Sequence, residues 1–419
     1  MRAITAHPTD PRADAASLTH ALTQAHDGDV ILIGPGLYSP TRTGETLPLQ
    51  VSPGVMIVGA GRSDCIIDGE GQFEPSFNPI RPDWSVMLLE NNTSLSGVTI
   101  TNGGGHGVGI PAGASATIRN CAFSRHGDHG VFLCGVTEAV VADCIFQDNG
   151  LKRFEPSLPR GAGARQGHHI FAEAQHGQPN RLLIVGNTMH NCFADGLAFI
   201  CFFPQPDGVT FDATVLRNTI EASERGGLLF SCSFGPSHNR LRLLAAGNTL
   251  KGNKQFGLSM LTTVPLADKV PQNGVATALV SENEITSSPV GMLIQGAVSE
   301  AHRNTCHVTI DRNRIAACGK SALRLLGALG VEGVDTTENS LHALVSRNQI
   351  SGGAPAIAIQ GAGGAGNPQR NTVHVKLYDN DITSPSTRTI LVSDGRTGNQ
   401  VAVAAGSQDH TRTTEDLLK

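Results

Sequence analysis

Along most of the chain a short strand-like run of alternating apolar and polar residues ends in an asparagine flanked by further apolar residues, and the phrase returns every few dozen residues. It reads Leu-Ile-Val-Gly-Asn187-Thr-Met, Val-Leu-Arg-Asn218-Thr-Ile, Ala-Ala-Gly-Asn248-Thr-Leu and Val-Ser-Glu-Asn283-Glu-Ile. It continues as Ile-Asp-Arg-Asn313-Arg-Ile, Val-Ser-Arg-Asn348-Gln-Ile and Leu-Tyr-Asp-Asn380-Asp-Ile, and Asn120 and Asp143 head earlier copies. Such self-similarity marks a solenoid, whose repeats cannot bury a face alone and must stack. Stacking turns sequence columns into spatial columns one strand spacing, about 4.8 Å, apart. An asparagine column at a turn predicts a ladder of buried amides that tolerates left-handed backbone.

A second phrase lies between the asparagines. Its copies include His106-Gly-Val, His129-Gly-Val-Phe-Leu, His168-His-Ile-Phe-Ala, Asp195-Gly-Leu-Ala-Phe and Gly226-Gly-Leu-Leu-Phe. Two short strands per repeat with different turns predict an all-β, single-stranded parallel β-helix of about 10–12 coils. Residues 12–26 read as an amphipathic helix started by Asp14, with Ala15, Leu18, Leu22 and Ala25 on one face, placed to cap the open edge of the first coil. The β-helix domain is expected over 1–403, followed by a polar tail, 404–419.

Composition narrows the function. A net charge of −5 without a basic run argues against nucleic acid, and no apolar stretch is long enough to span a membrane. The N-terminal residues show no apolar signal segment, so a cytoplasmic location is expected. The nine cysteines fall at no metal-ligand spacing and read as buried, reduced thiols.

The run "DGDVILIGPGLYSP" after the helix, followed by "VMIVGAGRSDCIIDGEG", resembles the opening of pectate-lyase-like right-handed parallel β-helix proteins. The resemblance extends over about residues 12–400 and implies the right-handed fold. For activity it implies only a range, from polysaccharide lyases and hydrolases through uronate epimerases to fructotransferases. The Asp-Asp pair of the pectin hydrolases and the Asp-Pro-His motif of mannuronan epimerases are both absent here. The lyase style that remains similar uses an Arg or Lys as base, for which Arg225 and Arg165 are available.

Aligning the second phrase gives a column of His106, His129, His168 and Asp195 on successive coils, bordered by Asp128, His169, Arg225 and Gln255. Glu173 stands at the far end of the same strands. Imidazoles, carboxylates and a guanidinium within a few strand spacings suit general acid–base catalysis. The expected catalytic set is His129, His168, Asp195, Arg225 and Glu173. In it Arg225 or His168 is the base, His129 the acid, and Asp195 orients an imidazole. Asp128, His106, His169, Arg165, Gln255, Phe132, Phe171, Phe202 and Phe203 are expected to bind substrate. The loops at 150–166 and 201–211 are expected to roof the site, and alanine at His129 or His168 to lower turnover about 100-fold without unfolding the chain.

No cofactor is expected, because side chains in one column run parallel whereas a transition metal needs convergent ligands. Calcium is the alternative the resemblance admits, through Asp128, Asp195 and Glu173. The leading functional expectation is a lyase or epimerase acting on a uronate-containing saccharide. The scarcity of Trp and Tyr in the central coils, against seven Phe from Phe193 to Phe234, sets beside it an isomerase, cyclase or lyase for a small, partly apolar metabolite. Fructotransferase-type glycosyl transfer and a non-catalytic binding scaffold are the remaining alternatives. By strand alternation Phe132, Phe171, Ala198 and Leu229 face outward, where a loop, a ligand or a second copy in a homo-oligomer would cover them.

Overall fold

Each full coil contains three strands, one more than the two phrases predict. The computed structural model describes residues 1–71, 81–150, 167–200, 207–233, 237–264, 271–297, 301–330, 335–364, 367–385, 389–394 and 398–406. The chain divides into two compact units, Met1–Ala198 and Phe199–Lys419. The fold is an all-β right-handed parallel β-solenoid of about 11 turns.

In the second unit one coil runs through Arg240–Ala246, Thr249–Lys251 and Phe256–Val264. The next runs through Val275–Ser281, Glu284–Thr286 and Val290–Gln295. Each strand pairs in parallel with its counterpart, so that Leu243 meets Ala278, Leu250 meets Ile285 and Leu258 meets Met292. Three sheets result, named here first, second and third in the order the chain visits them. The asparagine phrase spans two strands because the chain turns a corner within it. The left-handed residue is the one before the asparagine, with φ of 65° at Gly247, 57° at Glu282 and 53° at Arg312. That bend leaves the Asn in line with its neighbours.

The amides then form the expected ladder. Asn283 Oδ1 accepts from both the backbone N and the Nδ2 of Asn248 at 2.9 Å, and Asn283 Nδ2 donates to Asn313 Oδ1 at 2.9 Å. The same links join Asn218 to Asn248, Asn313 to Asn348 and Asn348 to Asn380. A second ladder stands at the corner before the first sheet, through Asn304, Asn339, Asn371 and Asn399. Replacing Asn248 with Leu strands the amide groups of Asn218 and the carbonyl of Val215. The expected loss is about 1–3 kcal/mol, read as a lower urea midpoint; an unchanged midpoint would show that the ladder contributes nothing.

In the first unit Asn187 plays the same part, accepting from Cys144 N and donating to the Val141 carbonyl, both at 2.9 Å. Strand register puts Cys121 and Cys144 in its column. Asn120 and Asp143 therefore sit one residue before the ladder, at the left-handed corner, with φ of 49° and 55°.

The N-terminus departs from expectation in two ways. A strand, Ala3–Ala6, precedes the helix and pairs with Val30–Ile33. The helix is only Leu18–Gln24. Asp14 does not start it, because its carboxylate is held by Thr5 N and Oγ1 at 2.6 and 2.8 Å. Ser17 caps it instead, and the Glu45 carboxylate takes the free N–H groups of Leu18 and Thr19. Leu18, Ala21 and Leu22 are buried, as are Ala15 and Ala25 beside the helix. At the other end the last strand, Gln400–Gly406, carries regular structure past residue 403. No helix among the described residues is long and apolar enough to cross a membrane.

Candidate acid–base site

The third sheet of the first unit brings the predicted column together. Val108, Val131 and Ile170 are register partners, which places His106, His129 and His168 one above another at the head of their strands. The rings of His106 and His129 stack at 4.9 Å with no angle between them, and His129 and His168 lie 5.3 Å apart. Each column residue is tied to the next coil. His129 N donates to His106 Nδ1 at 3.4 Å, and His168 N donates to His129 Nδ1 at 3.2 Å. His168 Nδ1 lies 3.1 Å from both the amide nitrogen and the carbonyl oxygen of Asp195. In this geometry Nδ1 of His106 and of His129 acts as an acceptor, the role of an unprotonated ring nitrogen.

Phenyl rings fill the same face. Phe132 and Phe171 lie 5.6 Å apart, and Phe171 stacks on His129 at 4.7 Å and on His168 at 5.2 Å. Strands Val131–Cys134 and Ile170–Glu173 are buried on both faces. The outward column at Phe132 and Phe171 is therefore covered within this single chain and offers no surface for a second copy. The column histidines and Asp195 are buried as well.

Asp128 is the group that makes the cluster chemically distinctive. One carboxyl oxygen lies 3.3 Å from His129 Nδ1 and the other 3.7 Å from His106 Nδ1. Among the described residues, buried Oδ1 finds no hydrogen-bond partner, and neither does His106 Nε2. Burial pushes the Asp128 carboxyl up to about 8. Burial, with His126 nearby, pulls His106 down to about 3. Burial thus favours the neutral acid at Asp128 and the neutral imidazole at His106.

The remaining predicted residues scatter. His169 turns to the interior, where Nδ1 lies 3.0 Å from the Asn149 amide and the ring packs against Phe146. Burial pulls His169 down to about 3. His126 is likewise internal, accepting from Gly103 N and facing the Ile100 carbonyl, both at 3.1 Å. Glu173 is buried at the opposite end of its strand, beside Cys134, whose thiol burial and that carboxylate push up to about 12. Arg225 and Gln255 belong to the second unit, on adjacent coils joined by Gln255 N to Arg225 O at 2.7 Å. Arg165, Phe202, Phe203, most of the 150–166 loop and the first half of the 201–211 loop lie outside the described residues.

His106, Asp128 and His129 form the one group of three such side chains among the described residues whose donor atoms all lie within 4.8 Å of one another. The Nδ1 lone pairs nearest Asp128 already accept backbone N–H groups, and the stacked rings run parallel. A metal here would have to displace those hydrogen bonds.

Residues 84–267 match the model of the right handed beta helix region family. No curated protein matches the chain. Among solved structures the chain is similar to PfbA, a surface adhesin of Streptococcus pneumoniae, at 13% identity and TM-score 0.52, covering 91% of this chain and 89% of that one. It is similar to the Dettilon tailspike protein at 14% identity and TM-score 0.51, covering 97% and 68%. The periplasmic alginate epimerase AlgG matches at 12% identity and TM-score 0.42, covering 90% and 77%. These likenesses support a right-handed parallel β-helix, and similarity this low speaks for fold alone.

Proposed function

We propose that the chain is an enzyme that moves protons on a small, partly apolar molecule, an isomerase or lyase with Asp128 as its general acid. The observation that carries this reading is the Asp128 carboxyl, buried between two imidazoles, with one oxygen that has no hydrogen-bond partner among the described residues. A carboxylic acid kept neutral at working pH can give a proton, and a neutral imidazole beside it can take one. Isomerisation and elimination each need one such donor and one such acceptor. Phenyl rings around the cluster favour an apolar part in the substrate, whereas a uronate polymer would need an open groove over these side chains.

The backbone bonds to His106 and His129 favour a second reading, a binding scaffold in which the column is structural. Deuterium incorporation and product formation in heavy water separate the two. Small hydroxy and keto acids with apolar tails form one panel, oligo-uronates the other. Turnover within the first panel that Asp128→Asn abolishes is the expected result. Turnover of oligo-uronates only would transfer the site to saccharides, and turnover equal in Asp128→Asn would remove Asp128 from the chemistry. No turnover in either panel leaves the scaffold reading.

A further inference from the structure

The second unit carries another histidine column, on the outer face of its first sheet. His307, His342 and His374 are consecutive register partners on strands Thr305–Asp311, Ser340–Ser346 and Thr372–Tyr378. Their rings stack at 4.9 and 5.0 Å, with interplanar angles of 16° and 5°. Unlike the buried column, these rings stand at solvent, His307 and His374 exposed and His342 half-buried. None of their ring nitrogens takes part in a hydrogen bond among the described residues. They border an open groove of about 780 Å³, whose walls include Arg242, Leu279, Leu344 and Lys376.

We infer that this column binds a borderline divalent transition-metal ion, held by His342 together with one neighbouring histidine. Imidazole nitrogen is a preferred ligand for zinc, nickel and copper ions. Two imidazoles sharing a tetrahedral ion bring their nitrogens to about 3.4 Å, with bonds of about 2.0–2.1 Å. From stacked rings each nitrogen needs to move by less than about 1 Å, and each ring must swing by about 50° so that the in-plane lone pairs converge; exposed His307 and half-buried His342 have room for that rotation, which the packed rings of the buried column do not. Water completes the coordination in the open groove.

The column geometry dictates an unequal role for its members. His342 belongs to both adjacent pairs. His307 and His374 are two strand spacings apart, about 9–10 Å, and cannot share an ion. Lys376 follows His374 by two residues on the same face, so its ammonium disfavours a cation at that end. The His307–His342 pair is therefore the preferred one, and only one ion fits per column.

Calorimetric titration of the tag-free full chain with zinc chloride tests this. One ion per chain is expected. His342→Ala should weaken that site by about tenfold or more, because a single imidazole remains for any ion. The double variant His307→Ala/His374→Ala should do the same while leaving His342 in place, and circular dichroism verifies the fold of both. His374→Ala should bind within about twofold of the wild type. Absence of zinc binding to the wild type, or binding that survives in both His342→Ala and the double variant, would overturn the assignment.

Discussion

Thermal stability is expected to peak at about pH 7 and to fall on both sides. The acid limb comes from His106, His126 and His169, which burial holds near 3, 4 and 3 in the folded chain against an ordinary value of 6.5. Below pH 6.5 the unfolded chain binds protons that the folded chain refuses, so the stability these groups contribute is lost as pH falls. Asp128 works in the opposite sense. Its folded value of about 8 lies above the ordinary 3.8, so its contribution is full below 3.8 and is lost as pH rises toward 8. Each group changes stability by about 1.4 kcal/mol per pH unit within its window. From pH 4 to 6.5 three groups rise against one that falls, a net gain of about 3 kcal/mol per unit. Just above 6.5 the unfolded histidines still bind some protons; from about 7 to 8 Asp128 dominates and the slope reverses. Above pH 9 the buried thiols of Cys134, Cys306 and Cys318, raised to about 12, 12 and 11, continue the decline. Urea midpoints measured from pH 5 to 8 check the profile. Asp128→Asn should flatten the limb above about 7; a limb that persists in this variant would mean that Asp128 is ionised in the folded chain.

Replacing His129 with alanine should cost about 3–5 kcal/mol, comparable to deleting a core aromatic ring. The ring is fully buried between the rings of His106 and Phe171. Its Nδ1 accepts the His168 backbone N–H, and losing that acceptor adds a desolvation penalty to the cavity. The variant expected to lower turnover without unfolding the chain is thus expected to be less stable as well. A calorimetric melting temperature gives the test: a shift of less than about 1 kcal/mol would mean that the neighbouring coils close the gap.

The sequence reveals most where one residue type must recur. Asn218, Asn248 and Asn283 can be read as a column because only an amide both donates along the stack and accepts from it. The second ladder carries an equal signal, an asparagine just before the strand at Asn304, Asn339, Asn371 and Asn399, but its period is masked by the commoner phrase. Asn120 and Asp143 mislead because a left-handed corner also favours Asn and Asp. Their true ladder counterparts, Cys121 and Cys144, look like ordinary core residues. At the site, spacing places His106, His129, His168 and Asp195 in one column. It cannot show that the column is buried, since burial depends on segments that pack over the sheet. Nor does it reveal Asp128 as the pivotal carboxyl, because its reach toward two rings depends on the corner ahead of the strand. The exposed column of His307, His342 and His374 falls at one strand position in three successive coils, and alignment of the first-sheet strands would have displayed it.

The asparagine ladder bears on how such a chain can change length. Asn248, Asn283 and Asn313 each present the same two faces, giving and receiving identical bonds. Excising residues 284–313 would remove one whole period and bring Asn283 against Asn348 with every donor and acceptor matched again. Losing half that number would set a corner against a strand. Gene-level insertions and deletions in these coils are therefore tolerated in whole turns, and the protein's length is quantised by its own hydrogen bonds.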